Sequence, residues 1–226
     1  MEKTEKDMFD ELFIVKEVSG AKEVPLGSKE DYWKTVHSER GNQEKSEALF
    51  SWIEMCRHES LRRNGEFSGA DLGEAIRTIQ GLERELGEIA GLVLIRAGGQ
   101  SELLRDYESA AEFYQASLMC RIAHLDGRYW RLNNLGFCLN FSRCFERAEE
   151  YLKEAIFMKP LRYNAWKNLG VSLEHHGEVD RAAECYVQAM TCSNSEERSS
   201  AHFRRLLERY PELSNIYVKI RSGENE

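Results

Sequence analysis

The sequence predicts an all-α fold, and three observations carry that prediction. Only Pro25, Pro160 and Pro211 interrupt the 226 residues, so long stretches can run as helix without losing a backbone hydrogen bond. Two segments, YWRLNNLGFCLNFSRCFERAEEYLKEAIFMKP from Tyr129 and YNAWKNLGVSLEHHGEVDRAAECYVQAMTCSN from Tyr163, align without a gap at an offset of 34 residues. Self-similarity at such a period marks stacked supersecondary units. Within the first copy, Leu132, Leu135, Gly136 and Leu139 keep the spacing of one helical face, and Ala148, Leu152 and Ala155 keep it on a second helix. Each unit therefore reads as a helical hairpin that cannot cover its own apolar face, and successive hairpins are expected to stack into a solenoid with a concave side.

The paired positions are Leu132 with Trp166, Asn134 with Asn168, Leu135 with Leu169, Gly136 with Gly170, Leu139 with Leu173, Ala148 with Ala182, Leu152 with Tyr186 and Ala155 with Ala189. Glycine inside a helix costs about 1 kcal/mol relative to alanine, so Gly136 and Gly170 predict a neighbouring helix too close for a Cβ. These residues resemble the tetratricopeptide repeat, whose pattern is W-x2-L-G-x2-Y, then A-x3-F, then a late proline. Trp166, Leu169 and Gly170 match it most fully. The preceding unit has Leu132 for the tryptophan and Leu139 for the tyrosine, but keeps Leu135, Gly136, Ala148 and Pro160. A further unit shows upstream in Asp106, Tyr107, Ala110, Tyr114 and Ser117, with Leu94, Ala97 and Gly98 on its first helix. Ala110 to Ala148 is 38 residues, so about four extra residues near HLDGR are expected to lengthen the turn between units. The resemblance implies a right-handed α-solenoid of tetratricopeptide-like hairpins.

In chain order, residues 1–43 hold the apolar run FIVKEV and a turn-rich stretch, and read as a strand, an extended arm or a disordered leader. Residues 44–90 carry two helical stripes, Leu49, Trp52, Ile53, Cys56 and Leu61, then Ile76, Ile79, Leu82, Leu86 and Ile89. They form either a capping hairpin or a degenerate repeat. Residues 91–194 hold about three units, 91–128, 129–162 and 163–194. Residues 195–226 supply a cap helix and tail, with Phe203, Leu206 and Leu207 among charges before Pro211.

Composition narrows the function. The 39 acidic and 31 basic residues give a net charge of −8, the wrong sign for holding nucleic acid mainly by charge. No run approaches the 18 apolar residues of a membrane span, so membrane insertion is not expected. The start MEKTEKDMFDEL has no secretory pattern, and a cytoplasmic protein is expected. The six cysteines include no CxxC, and neither metal nor cofactor is expected. His175 and His176 are adjacent, about 100° apart on a helix, and do not share the face of an i, i+4 ligand pair. A nucleophile built from Cys185 with His175 or His176 is the least favoured reading, since no third group orients it. No catalytic residues are predicted.

Opposite the buried stripe lie Trp130, Asn133, Asn134, Phe137, Asn140 and Phe141, with Asn164, Lys167, Asn168, Val171, Glu174 and His175 in the next unit. The expectation is a peptide-binding groove. There asparagine amides would hold a backbone and aromatics would anchor side chains. Some tetratricopeptide proteins clamp a C-terminal carboxylate, but Ile95, Gly99, Asn164 and Asn168 stand where that set needs lysine, asparagine, lysine and arginine. An amphipathic protein segment is the expected partner, with the protein acting as adaptor, scaffold or chaperone-like holder. A second reading is self-assembly into a homo-oligomer, one copy filling the groove of another.

Overall fold

In the computed structural model, which describes residues 29–39, 41–192 and 196–222, every regular element is helical. The run FIVKEV and the rest of residues 1–28 lie outside the described residues. The chain divides into two compact units, one ending at Gly127 and one beginning at Arg128.

The first unit contains α1 (Lys29–Val36), α2 (Asn42–Asn64), α3 (Gly69–Gly81), a single turn α4 (Glu83–Leu86), α5 (Glu88–Leu103) and α6 (Tyr107–Ser117). Residues 29–36 of the expected arm are thus helical, and α1 packs on α2. Leu49, Trp52 and Ile53 from α2 meet Leu72, Ala75 and Ile79 from α3, Val93, Leu94 and Ala97 from α5, and Phe113 from α6 in one core. The reversal between α2 and α3 is closed by Gly65, whose N–H reaches Leu61 O at 2.9 Å, and by Ser68, which caps α3 through Asp71 N.

The second unit holds α7 from Arg128 onward (the helix is Leu125–Phe141), α8 (Phe145–Met158), α9 (Tyr163–His175), α10 (Val179–Thr191), α11 (Glu196–Arg209), a 3-10 turn (Pro211–Leu213) and α12 (Ser214–Ser222). Helix α7 has 17 residues where α9 has 13. The four extra residues therefore add a helical turn before Tyr129, where the sequence suggested a longer connection. Beyond Pro211 the chain resumes as α12, which packs on α10 beside α11.

Three hairpins share one construction. Each first helix ends at a left-handed residue, Arg105 (φ 60°), Arg143 (φ 58°) and Gly177 (φ 79°), spaced by 38 and 34 residues. The next N–H then reaches back across the turn: Asp106 N to Ser101 O and Cys144 N to Leu139 O, each 2.9 Å, and Glu178 N to Leu173 O, 3.0 Å. This is the Schellman closure that satisfies the orphan carbonyls of a helix end. Seven residues before each left-handed position stands a glycine. A Cβ on Gly98 would lie 2.8 Å from the Tyr114 ring, on Gly136 2.5 Å from Leu152 Cγ, and on Gly170 2.5 Å from Tyr186 Cε1. The close approach predicted from the sequence is therefore present. The tyrosines end in carboxylates of their own hairpin, Tyr114 donating to Glu102 at 2.5 Å and Tyr186 to Glu174 at 2.8 Å. Burial pushes the Glu102 carboxyl up to about 7, against the opposing pull of the Tyr114 hydrogen bond.

Candidate functional site

The predicted groove residues fall on α7 and α9 of the second unit, and the two helices are joined there by a polar seam. Asn133 and Asn168 are 4% and 5% exposed. The Asn168 amide donates to Asn133 Oδ1 at 3.2 Å, and the Asn133 amide donates to Asn134 Oδ1 at 2.8 Å. Asn140 donates to the Asn168 carbonyl at 2.9 Å and accepts from Ser172 Oγ at 2.7 Å. Asn168, expected to offer its amide to a peptide, is turned into this seam. A buried amide must find partners, since leaving one unsatisfied costs about 1–3 kcal/mol. Ser172 was not singled out from the sequence, although its place four residues after Asn168 puts it on the same helical face.

Around the seam lies a more accessible set. Phe141 is 55% exposed and meets Phe137 edge-on with centroids 4.9 Å apart. Trp130 is half-buried, edge-on to Tyr129 at 5.3 Å, with the Arg162 guanidinium 5.8 Å over its ring. Asn134, Asn140, Asn164, Lys167, Val171 and Glu174 are half-buried. Glu174 accepts from Tyr186, and exposed His175 stacks on Phe145 at 4.4 Å with the rings 8° from parallel. The twelve predicted residues thus separate into a bonded seam, an aromatic pair with a partly open surface, and two side chains engaged by α10 and α8.

His176 has a different environment. Its Nδ1 lies 2.7 Å from Glu149 Oε1 and its Nε2 3.2 Å from Glu146 Oε1. The Glu149 hydrogen bond raises the affinity of the ring for its proton, desolvation opposes this, and Glu146 adds to it. Glu149 is 8% exposed. Burial works against its ionisation, but Lys153, at 2.7 Å, and His176 hold its carboxyl below the ordinary range. Cys185 is buried and its thiol is pushed up to about 12, first by burial and then by Glu184. A thiol in that range stays protonated at neutral pH and is a poor nucleophile. None of Glu146, Glu149 or Glu178 was visible as part of a cluster in the sequence, because α8 and the turn from His176 to Glu178 meet only in the fold.

A family model described as tetratricopeptide repeat matches residues 142–195. Among solved structures, the chain is similar to "Crystal structure of MamA", with 18% identity, TM-score 0.50, and coverage of 73% of this chain and 92% of that one. It is similar also to "MamA 41-end from Desulfovibrio magneticus RS-1", with 18% identity, TM-score 0.50 and coverage of 78% and 98%. The "MamA RS-1 ArsTM double mutant" gives the same identity and TM-score over 79% and 98%. Likeness at this identity speaks to the fold. No curated protein matches the chain. Among the described residues, no helix is long and apolar enough to cross a membrane. The described residues form an all-α fold, and residues 142–195 match the tetratricopeptide repeat.

Proposed function

We propose that the protein is a non-catalytic binding module in which the α7 and α9 face of the second unit holds an amphipathic segment of a partner protein. Stacked helical repeats present extended surfaces of this kind. The observation that carries the reading is the Phe137 and Phe141 pair, with Phe141 55% exposed beside a seam whose own polar groups are engaged. Aromatic anchors at the centre of a surface supply most of the free energy in many interfaces. Lys167 and Asn164, half-buried on α9, carry donor groups for the polar side of such a segment. The seam residues then set the distance between α7 and α9, and the partner reads the aromatic edge.

The test is panning of a displayed peptide library against the full chain, followed by affinity measurement with Phe141→Ser and, as a control, Phe157→Ser. The reading predicts that selected amphipathic peptides lose at least about tenfold in affinity with Phe141→Ser and keep it with Phe157→Ser. Equal binding to both variants contradicts it. Self-assembly draws on a different observation: Phe157 and Leu161 are 88% and 80% exposed around the turn between α8 and α9. Light scattering across a concentration series separates the two, since a monomer at every concentration excludes assembly.

A further inference from the structure

Three consecutive pieces of the second unit bring metal-ligating atoms together. Glu149 comes from α8, His176 caps the C-terminus of α9, and Glu178 precedes α10. Their nearest ligand atoms all lie within 4.8 Å of one another. Gly177 makes this possible, because its φ of 79° folds the backbone so that His176 and Glu178 approach the same point. We propose that Glu149, His176 and Glu178 bind one divalent transition-metal ion of the zinc type, which staples the α7 and α8 hairpin to the α9 and α10 hairpin.

Donors at about 2.0–2.2 Å from such an ion stand about 3.4 Å apart in a tetrahedral site. His176 Nδ1 and Glu149 Oε1, 2.7 Å apart, therefore have to open by side-chain rotation while Glu178, within 4.8 Å of both, closes on the ion. The imidazole is already held as a ligand ring should be. Its Nδ1 faces Glu149, its Nε2 faces Glu146 at 3.2 Å, and the Phe145 ring stands edge-on to it at 5.8 Å. A carboxylate on the far nitrogen fixes the orientation of most metal-bound histidines and raises their basicity, which gives Glu146 a positioning role. Glu149 is buried, so a cation beside it is attracted through a poorly screening medium.

Two side chains neutralise the carboxylates in the absence of an ion: Lys153 on Glu149 and Arg181 on Glu178. Their side chains are 50% and 52% exposed; the Arg181 and Glu178 pair is exposed at both ends and contributes little, whereas Lys153 meets a Glu149 carboxylate only 11% exposed and has to be displaced by the ion. Both can swing into water when a doubly charged ion arrives. One nitrogen and two oxygens, with a fourth position for water, suit zinc or cobalt better than calcium, which takes six to eight oxygens.

The experiment is titration of the reduced full-length chain with zinc chloride by calorimetry, and with cobalt chloride by absorption. The expected result is one equivalent bound, weakened at least about tenfold by His176→Gln and by Glu178→Gln, and unchanged by His175→Gln. Glu178 is exposed, so its variant serves even if His176→Gln alters the fold by circular dichroism. The cobalt spectrum should lack a thiolate charge-transfer band. Absence of a stoichiometric site, equal affinity in the Glu178→Gln protein, or a thiolate band overturns the proposal.

Discussion

Gly136 and Gly170 set the spacing within their hairpins, and substitution at these positions tests that directly. An alanine Cβ at either would stand 2.5 Å from Leu152 or from the Tyr186 ring, closer than packed carbons approach. We expect Gly136→Ala and Gly170→Ala each to destabilise the protein by about 1–3 kcal/mol. Gly99→Ala, whose Cβ would meet only Tyr114 OH at 3.6 Å, should be neutral or stabilise by up to about 1 kcal/mol. Urea denaturation of the three variants provides the comparison, and a loss of stability in all three would sink the packing account. Glu102 gives a second residue-level test. Its carboxyl ionises near 4.5 when unfolded but holds its proton to about 7 in the fold. The folded state then binds more protons across that interval, so stability falls as pH rises through it, by roughly 2–3 kcal/mol. Glu102→Gln should flatten that part of the profile, as read by chemical denaturation at pH 4.5 and 7.5.

Among the elements, the helix-reversing turns and the seam behave differently. Arg105 and Arg143 occupy left-handed backbone where the equivalent residue of the last hairpin is Gly177. A side chain in that region costs about 1–2 kcal/mol. Arg143→Gly should therefore raise stability, by about 1 kcal/mol after the added chain entropy, and a fall in melting temperature would contradict the assignment. Asn168→Ala removes the amide that reaches Asn133 and leaves a buried acceptor, at a cost of about 1–3 kcal/mol. The same substitution in a purely ligand-facing asparagine would leave stability unchanged. Much of the element order was legible because glycine, alanine and leucine positions at a fixed period dictate hairpin packing. The Schellman turns at Arg105 and Arg143 were not, since arginine carries no mark of left-handed backbone. Nor was the fate of Asn168. The period put it on the face expected to line a groove, and an asparagine that bonds a neighbouring helix and one that bonds a ligand look alike in sequence. The extra turn of α7 escaped for a related reason: Gly127 inside HLDGR reads as a loop signal, whereas tertiary packing extends the helix through it.

At the scale of the molecule, a net charge of −8 and a tetratricopeptide segment favour a protein partner over nucleic acid. The exposed aromatic at Phe141 is the last residue of α7, so it is presented from a helix, where less conformational entropy is lost on docking than from a loop. The central claim, that α7 and α9 of the second unit form the binding face, is tested most directly by hydrogen exchange on the full chain with and without a selected amphipathic peptide. The account predicts slowed exchange concentrated in fragments spanning Phe137 to Phe141 and Lys167 to Val171. Protection confined to the first unit, or to the turn bearing Phe157 and Leu161, would contradict it.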